Sequence, residues 1–370
     1  ILGDSILSNM FIVGNAYQSG LLPIKGKAIE QAIKLNGVSV EQSLNAFRLG
    51  RHSINLRKEN VRVKSSSALD AIGNTPIVKL QKIVPDGCAD IYVKLESHNA
   101  TGSKKDRMAL SMIEGAENRG DLRTGMTVVE YTGGSTGSGL AFICAVKGYR
   151  FRVVSSDAFG HEKLDTMRAL GAELEIIESK DGKITPELIN KMIDRATEIA
   201  SEPDTYFTNQ LSNPDMIDGF EKMGQEIVEQ IGGPIDGFCD SIGTAGSLMG
   251  VSRALKAAGQ DTLVVALEPT TSPILTAGTK GGHNVEGIGL GFVPELLDKN
   301  LYDEARAIDE AEARQTALRL AREEGIFAGT STGMNVTGAI EIAKELGPGK
   351  TVVAIACDTG LKYLSEGLFS

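Results

Sequence analysis

Residues 128–154 read VVEYTGGSTGSGLAFICAVKGYRFRVV, and the order of residue types in this stretch decides the fold class. A β-branched run ending at Glu130 gives way to a Gly/Ser/Thr turn. An apolar stretch of helical composition comes next over Gly137–Val146, and then a second β-branched run at Phe151–Val154. Strand, loop, helix and strand in that order form the repeating unit of a parallel sheet. The pattern continues outward. Helical spacing of Leu164, Met167 and Leu170 over His161–Leu170 precedes Leu174–Ile177, with Glu187–Ala200 beyond it. Phe238–Asp240 leads into a helix over Ser247–Ala258. Thr262–Leu267 and Thr351–Ile355 are near-continuous apolar runs, as expected of strands covered on both faces. The sequence therefore predicts a doubly wound α/β architecture, with ligands at the C-terminal ends of the strands.

The first 52 residues break this rhythm. They suggest two helices interrupted around Gly20–Pro23, with apolar helical spacing over Ala28–Ile33 and Val40–Phe47. Val61–Ser67 reads as a linker. The expected organisation is a helical appendage at 1–55 and a catalytic unit at 56–370, whose smaller mobile subdomain covers about 108–220. The first residue is Ile, from which a fragment, a processed form or part of a fusion is expected.

Composition removes several function classes. With 41% hydrophobic and 23% charged residues, the chain is ordinary for a globular enzyme. A net charge of −10 with no compensating basic cluster argues against a nucleic-acid partner. No apolar run approaches bilayer length, and the N-terminus lacks the basic start and apolar core of a secretory signal. Four separated cysteines without a CxxC spacing indicate a reduced, cytoplasmic chain. The four histidines show no metal-ligand spacing, so no metal is expected.

Chemistry is carried by four loops. In Asn99-Ala-Thr-Gly-Ser-Lys-Lys-Asp-Arg-Met-Ala-Leu110, Lys105 falls at the first turn of a helix entered through Thr101, Gly102 and Ser103. The positive end of that helix favours a neutral, nucleophilic amine, as carbonyl chemistry at a lysine requires. The Thr132–Gly139 loop collects hydroxyls and N–H groups at a helix start and suits a carboxylate. Gly243-Thr-Ala-Gly-Ser247 can close its backbone around a phosphate. Gly329-Thr-Ser-Thr-Gly333 precedes another helix. Gly287-Ile-Gly-Leu-Gly291 lacks the spacing and subsequent helix of a dinucleotide fingerprint, and no P-loop, nucleophile elbow or HExxH occurs.

Together with Glu268-Pro269, Ser272-Pro273 and Glu286-Gly287-Ile288-Gly289, these motifs occur in the order found in the cysteine synthase/cystathionine β-synthase family, which the chain resembles from about Ala68 to its end. The resemblance implies a fold type II pyridoxal-phosphate enzyme (tryptophan synthase β-like) with two doubly wound α/β subdomains, usually a homodimer. It implies β-replacement on serine or an O-activated serine through an α-aminoacrylate, with serine/threonine dehydratase-like elimination or a non-catalytic docking role as alternatives. Lys105 would form the internal aldimine and shuttle the α-proton; the Asp-Arg immediately after it favours Lys105 over Lys104, which stands where the family has an apolar residue. Gly243, Thr244, Ala245, Gly246 and Ser247 would hold the cofactor phosphate, and Ser331 the pyridine nitrogen. Thr132, Gly133, Ser135, Thr136 and Gln210 would bind the substrate carboxylate. Ser135 also occupies the position of the asparagine that contacts the cofactor's ring hydroxyl.

The family's loop usually reads Thr-Ser-Gly-Asn-Thr-Gly, so Gly133 and Ser135 are departures in the pocket that chooses the substrate. Residues 1–52, from Asn9-Met10-Phe11 through Gly20-Leu21-Leu22-Pro23 to Ala46–Arg51, resemble the C-terminal tail of indolepyruvate:ferredoxin oxidoreductases.

Overall fold

The computed structural model describes residues 5–18, 22, 24–59, 66–183 and 185–369. The chain divides into two compact units, 1–66 and 67–370. Most of the expected linker, 61–65, lies outside the described residues.

Among its described residues the first unit contains three helices, α1 (Ser5–Gln18), α2 (Gly26–Asn36) and α3 (Val40–Glu59). Two were expected from sequence. The additional break is made by Gly37, in the left-handed region at φ 72°, and Ser39 at φ 44°, which turn the chain between α2 and α3. Helices α1 and α3 cross at two glycines. A Cβ on Gly14 would lie 2.0 Å from the Phe47 carbonyl oxygen, and one on Gly50 the same distance from that of Phe11. Ile29, Ile33, Leu44 and the fully buried Phe47 form the small core.

The second unit holds two sheets. The larger comprises β1 (Ile77–Lys79), β2 (Asp90–Leu95), β7 (Gly237–Ser241), β8 (Leu263–Pro269), β9 (Glu304–Ile308) and β10 (Thr351–Ala356), in the order β1-β2-β10-β7-β8-β9. Only the edge strand β1 is antiparallel. The smaller comprises β3 (Thr127–Tyr131), β4 (Arg150–Ser156), β5 (Glu173–Ile177) and β6 (Thr205–Phe207), ordered β5-β4-β3-β6 and wholly parallel. The connecting helices are α4 (Lys105–Arg119), α5 (Ser135–Lys147), α6 (His161–Ala169), α7 (Pro186–Ala200), α8 (Asp215–Ile231), α9 (Gly246–Ala257), α10 (Ile274–Ala277), α11 (Glu310–Arg319) and α12 (Thr330–Leu346).

Burial explains the layering. A central core joins Met108 and Met112 of α4, Leu140 of α5, Phe220 of α8 and Leu248 of α9 to Val128 and Phe151 of the small sheet and Phe238 and Val353 of the large one. These helices lie between the sheets. Ala313 of α11 and Val336 and Ile342 of α12 cover the other face of the large sheet; Leu188, Met192 and Ala196 of α7 cover that of the small one. Strands β3 and β7 are buried along their whole length and β10 at all but its first residue for this reason.

A buried ion network anchors α4. Arg107 donates to Glu96 at 2.7 and 3.0 Å and to Glu226 at 2.8 and 2.7 Å, and Lys94 reaches Glu226 at 2.7 Å. Although burial opposes ionisation of Glu226, the hydrogen bonds from Arg107 and Lys94 hold its carboxyl down at about 2. Arg107→Ala leaves the fully buried Glu96 uncompensated. The expected loss in a urea titration at pH 7 is about 3–5 kcal/mol, whereas an exposed pair such as Arg168–Asp165 would contribute under about 1 kcal/mol. The contribution of Glu226 itself is complete above its unfolded value near 4.5 and is lost as pH falls toward 2.

Candidate active site

All the loops singled out from sequence lie at C-terminal strand ends. The segment after β2 carries Lys105 at the first residue of α4. Helix entry differs slightly from the expectation: Lys104 occupies the cap position, and the Ser103 hydroxyl accepts from the Lys105 N–H at 3.2 Å. Gly102, at φ 75°, lets the segment pack against the chain leaving β10, where Thr359 N–H donates to its carbonyl and Lys104 N–H donates to that of Cys357.

The two adjacent lysines have opposite fates. The Lys104 ammonium donates to both carboxylate oxygens of the fully buried Asp240, at 3.0 and 2.9 Å, and to the Ser247 hydroxyl at 2.9 Å. Burial works against its charge, but Asp240 holds it protonated, with its pKa raised. Lys105 has no such carboxylate partner in the hydrogen-bond network. Burial first, and the neighbouring Lys104 ammonium second, bring it down to about 8. The depression expected from sequence is present, with burial rather than the helix terminus as its main cause. A drop from 10.5 to about 8 raises the neutral amine at pH 7 from roughly 0.03% to about 10%. Capture of an aldehyde by the cofactor-free protein should therefore rise tenfold per pH unit below about 8 and level off above it. A stopped-flow pH series checks this; a rise continuing unchanged to pH 10 would contradict it.

The Gly243–Ser247 loop joins β7 to α9. Thr244, Ala245 and Ser247 are buried, and α9 leaves its first N–H groups without helical acceptors. Ala245 is held at φ 65°, a conformation that costs a non-glycine residue strain. A Cβ on Gly243 would meet the Gly287 carbonyl at 2.3 Å, and one on Gly246 the Met216 sulfur at 2.6 Å. Protein atoms already fill both places, so neither position admits a side chain. Ser331 is buried in the first turn of α12, beside Thr332, whose hydroxyl accepts from Cys357 N–H at 2.9 Å.

In the 132–137 loop, Thr132 Oγ1 accepts from Gly134 N–H at 3.2 Å, and Thr136 donates to Gln210 Oε1 at 2.7 Å. Gln210 is positioned by Glu130, which accepts its N–H at 3.0 Å and whose carboxyl burial pushes up to about 7. Thr132, Thr136 and Gln210 thus come together around the start of α5. Ser135 is placed differently: its hydroxyl donates to Asp358 at 3.3 Å and accepts from Lys362 Nζ at 3.1 Å. Gly133 lies under the Phe159 ring, whose Cγ is 2.0 Å from where a Cβ would stand.

Sequence reasoning missed several partners. Lys104–Asp240 joins residues 136 positions apart. Asn335 donates to Asp240 at 2.8 Å and accepts from Ser241 N–H at 2.7 Å. Near the C-terminus, Tyr363 donates to Asp358 at 2.7 Å, and Lys163 pairs with Glu286 over the Tyr363 ring. None of these contacts has a local sequence signature.

Residues 68–358 match the family described as pyridoxal-phosphate dependent enzyme. The chain belongs to that family. It is 41% identical over 301 residues to a cysteine synthase of Staphylococcus aureus (strain N315), spanning 81% of this chain and 95% of that protein. Its identity to the O-ureido-L-serine synthase of Streptomyces lavendulae is 40% over 306 residues, 82% and 92% of the respective chains. The crystal structure of O-ureido-L-serine synthase superposes with a TM-score of 0.77 at 38% identity, over 83% of this chain and 96% of that one. That of the Entamoeba histolytica cysteine synthase gives 0.78 at 31%, over 84% and 92%.

The site suits pyridoxal phosphate. A depressed lysine amine can hold the aldehyde, a helix-start cradle closed to side chains can hold the phosphate, and the Ser241 hydroxyl beside that cradle is buried without a partner. Among the described residues no helix is long and apolar enough to cross a membrane, and no cluster of acidic, His and Cys side chains is arranged for a metal.

Proposed function

We propose that this pyridoxal-phosphate-dependent enzyme catalyses β-replacement on serine or an O-activated serine, as its cysteine synthase and O-ureido-L-serine synthase relatives are named for doing. The observation that carries the reading is Lys105, half-buried and lowered to about 8, at the strand ends that also present the carboxylate-suited and phosphate-suited loops. Bound there, the cofactor supplies the electron sink for the pair released when the substrate's Cα–H bond breaks.

The chain's own residues do the rest. Lys105 holds the cofactor and, once displaced by substrate, its amine takes the α-proton. The Gly243–Ser247 backbone fixes the phosphate end, while Ser331 offers a neutral hydroxyl to the ring nitrogen. Thr132, Gly133, Ser135 and Thr136, with Gln210, orient the amino-acid carboxylate at the start of α5, where N–H groups and the helix dipole favour an anion. The smaller sheet and its helices, about 108–220, form the subdomain that moves to exclude water. The resemblance further supports a homodimer acting in the cytoplasm, testable by light scattering of the purified protein.

The direct test is to load the protein with cofactor and add O-acetyl-L-serine, O-phospho-L-serine and L-serine in turn. Release of acetate, phosphate or water coupled to a change in the cofactor's absorbance is expected with at least one of them. No spectral change with any would sink the reading.

A further inference from the structure

Lys104 and Asp240 form an ion pair inside the site, and their neighbours give it a direction. Lys104 is 7% exposed and Asp240 fully buried. The Ser247 hydroxyl donates its single proton to Asp240 Oδ2 and accepts from the Lys104 ammonium. Asn335 donates to the other carboxylate oxygen at 2.8 Å. Ser247 belongs to the first turn of α9, in the loop assigned to the phosphate. Its hydroxyl proton is therefore committed away from the cradle, and a carboxylate lies one hydroxyl removed from where a dianion would sit.

We propose that Lys104 is a positioning residue for the cofactor's phosphate, acting by neutralising Asp240 directly, so that at Ser247 the phosphate is met by backbone N–H rather than by the hydroxyl. The proposal rests on the assignment of 243–247 as the phosphate cradle. Two like charges a few ångströms apart in a poorly solvated site repel strongly, and an unpaired buried carboxylate is costly in itself. Lys104 removes both costs. It also draws together the segment bearing Lys105, the end of β7 and the start of α9, so one pair sets the spacing between the cofactor's two ends.

The test compares binding of pyridoxal phosphate and of pyridoxal, which lacks the phosphate, to the cofactor-free protein. Lys104→Met should weaken pyridoxal phosphate tenfold or more beyond whatever change pyridoxal shows, since both ligands register the loss of the ammonium beside Lys105 and only one carries the phosphate. Adding Asp240→Asn to it should recover most of the loss. Asp240→Asn alone, which removes the carboxylate that repels the dianion and lets a bound phosphate take its place in holding Lys104 protonated, should increase the preference for the phosphorylated ligand, and this variant decides the matter if Lys104→Met fails to fold. Ser247→Ala should change the preference less than about threefold. Equal weakening of both ligands by Lys104→Met, or an unchanged or reduced preference in Asp240→Asn, would overturn the proposal. A wild-type protein with no preference between the two ligands would instead show that the cradle assignment is wrong.

Discussion

Lys105→Ala is expected to abolish both the yellow cofactor chromophore and β-replacement, with kcat/KM reduced by on the order of 10³-fold or more, about 4 kcal/mol of transition-state stabilisation. The size reflects two roles falling on one amine, which holds the cofactor and then moves the α-proton. The adjacent lysine is the natural control. Lys104 cannot take over, because its three protons are committed to Asp240 and Ser247 and its charge is held by the carboxylate. Borohydride reduction of the loaded wild type, then peptide mapping, should place the pyridoxyl group on Lys105. Modification at Lys104, or a chromophore persisting in Lys105→Ala, would contradict the assignment.

Gly133→Ser is expected to lower kcat/KM by on the order of 10²-fold, and Phe159→Ala in the same chain to restore much of it. The serine would reinstate the residue usual in the family, yet its Cβ would fall 2.0 Å from Phe159 Cγ, inside the ring. The ring cannot yield freely, because it packs with the Val129, Tyr131 and Leu188 core behind the small sheet. The loop must shift instead, and a misplacement of about 1 Å at a substrate-orienting segment costs about 10²-fold. The double variant removes the obstruction, so the two changes should be strongly non-additive. Kinetics across a panel of amino-acid substrates provides the measurement. Additive losses would show that Phe159 does not set the loop.

The frame of the molecule was legible because its signals are local. Strand runs at 128–130 and 351–355 and helical spacing at 161–170 are each decided by a few neighbouring residues. The loops were legible for the same reason, since Gly, Ser and Thr at a helix start have a backbone cause. The third helix of the appendage was missed because its separation from α2 depends on left-handed geometry at Gly37 and Ser39. The contents of the site were legible only in part. Lys104 was visible as a departure, but Asp240 lies 136 residues away and nothing near either residue announces the pair. Ser135 is expected from the resemblance at the substrate carboxylate and the cofactor's ring; its hydroxyl partners, Asp358 and Lys362 near the chain's other end, have no local sequence signature. Gly133 is visible in the sequence as a departure from the family's serine; the structure adds that Phe159 fills the space a side chain there would need.

Replacement and simple elimination share the first half of the reaction and diverge only once the leaving group has departed. The most direct measurement is therefore the partition of product when the loaded enzyme turns over O-acetyl-L-serine with sulfide present. The expected result is cysteine as the main product, with pyruvate and ammonia minor and the flux falling with Lys105→Ala. Pyruvate and ammonia formed at the same rate with or without sulfide, and no cysteine, would contradict β-replacement.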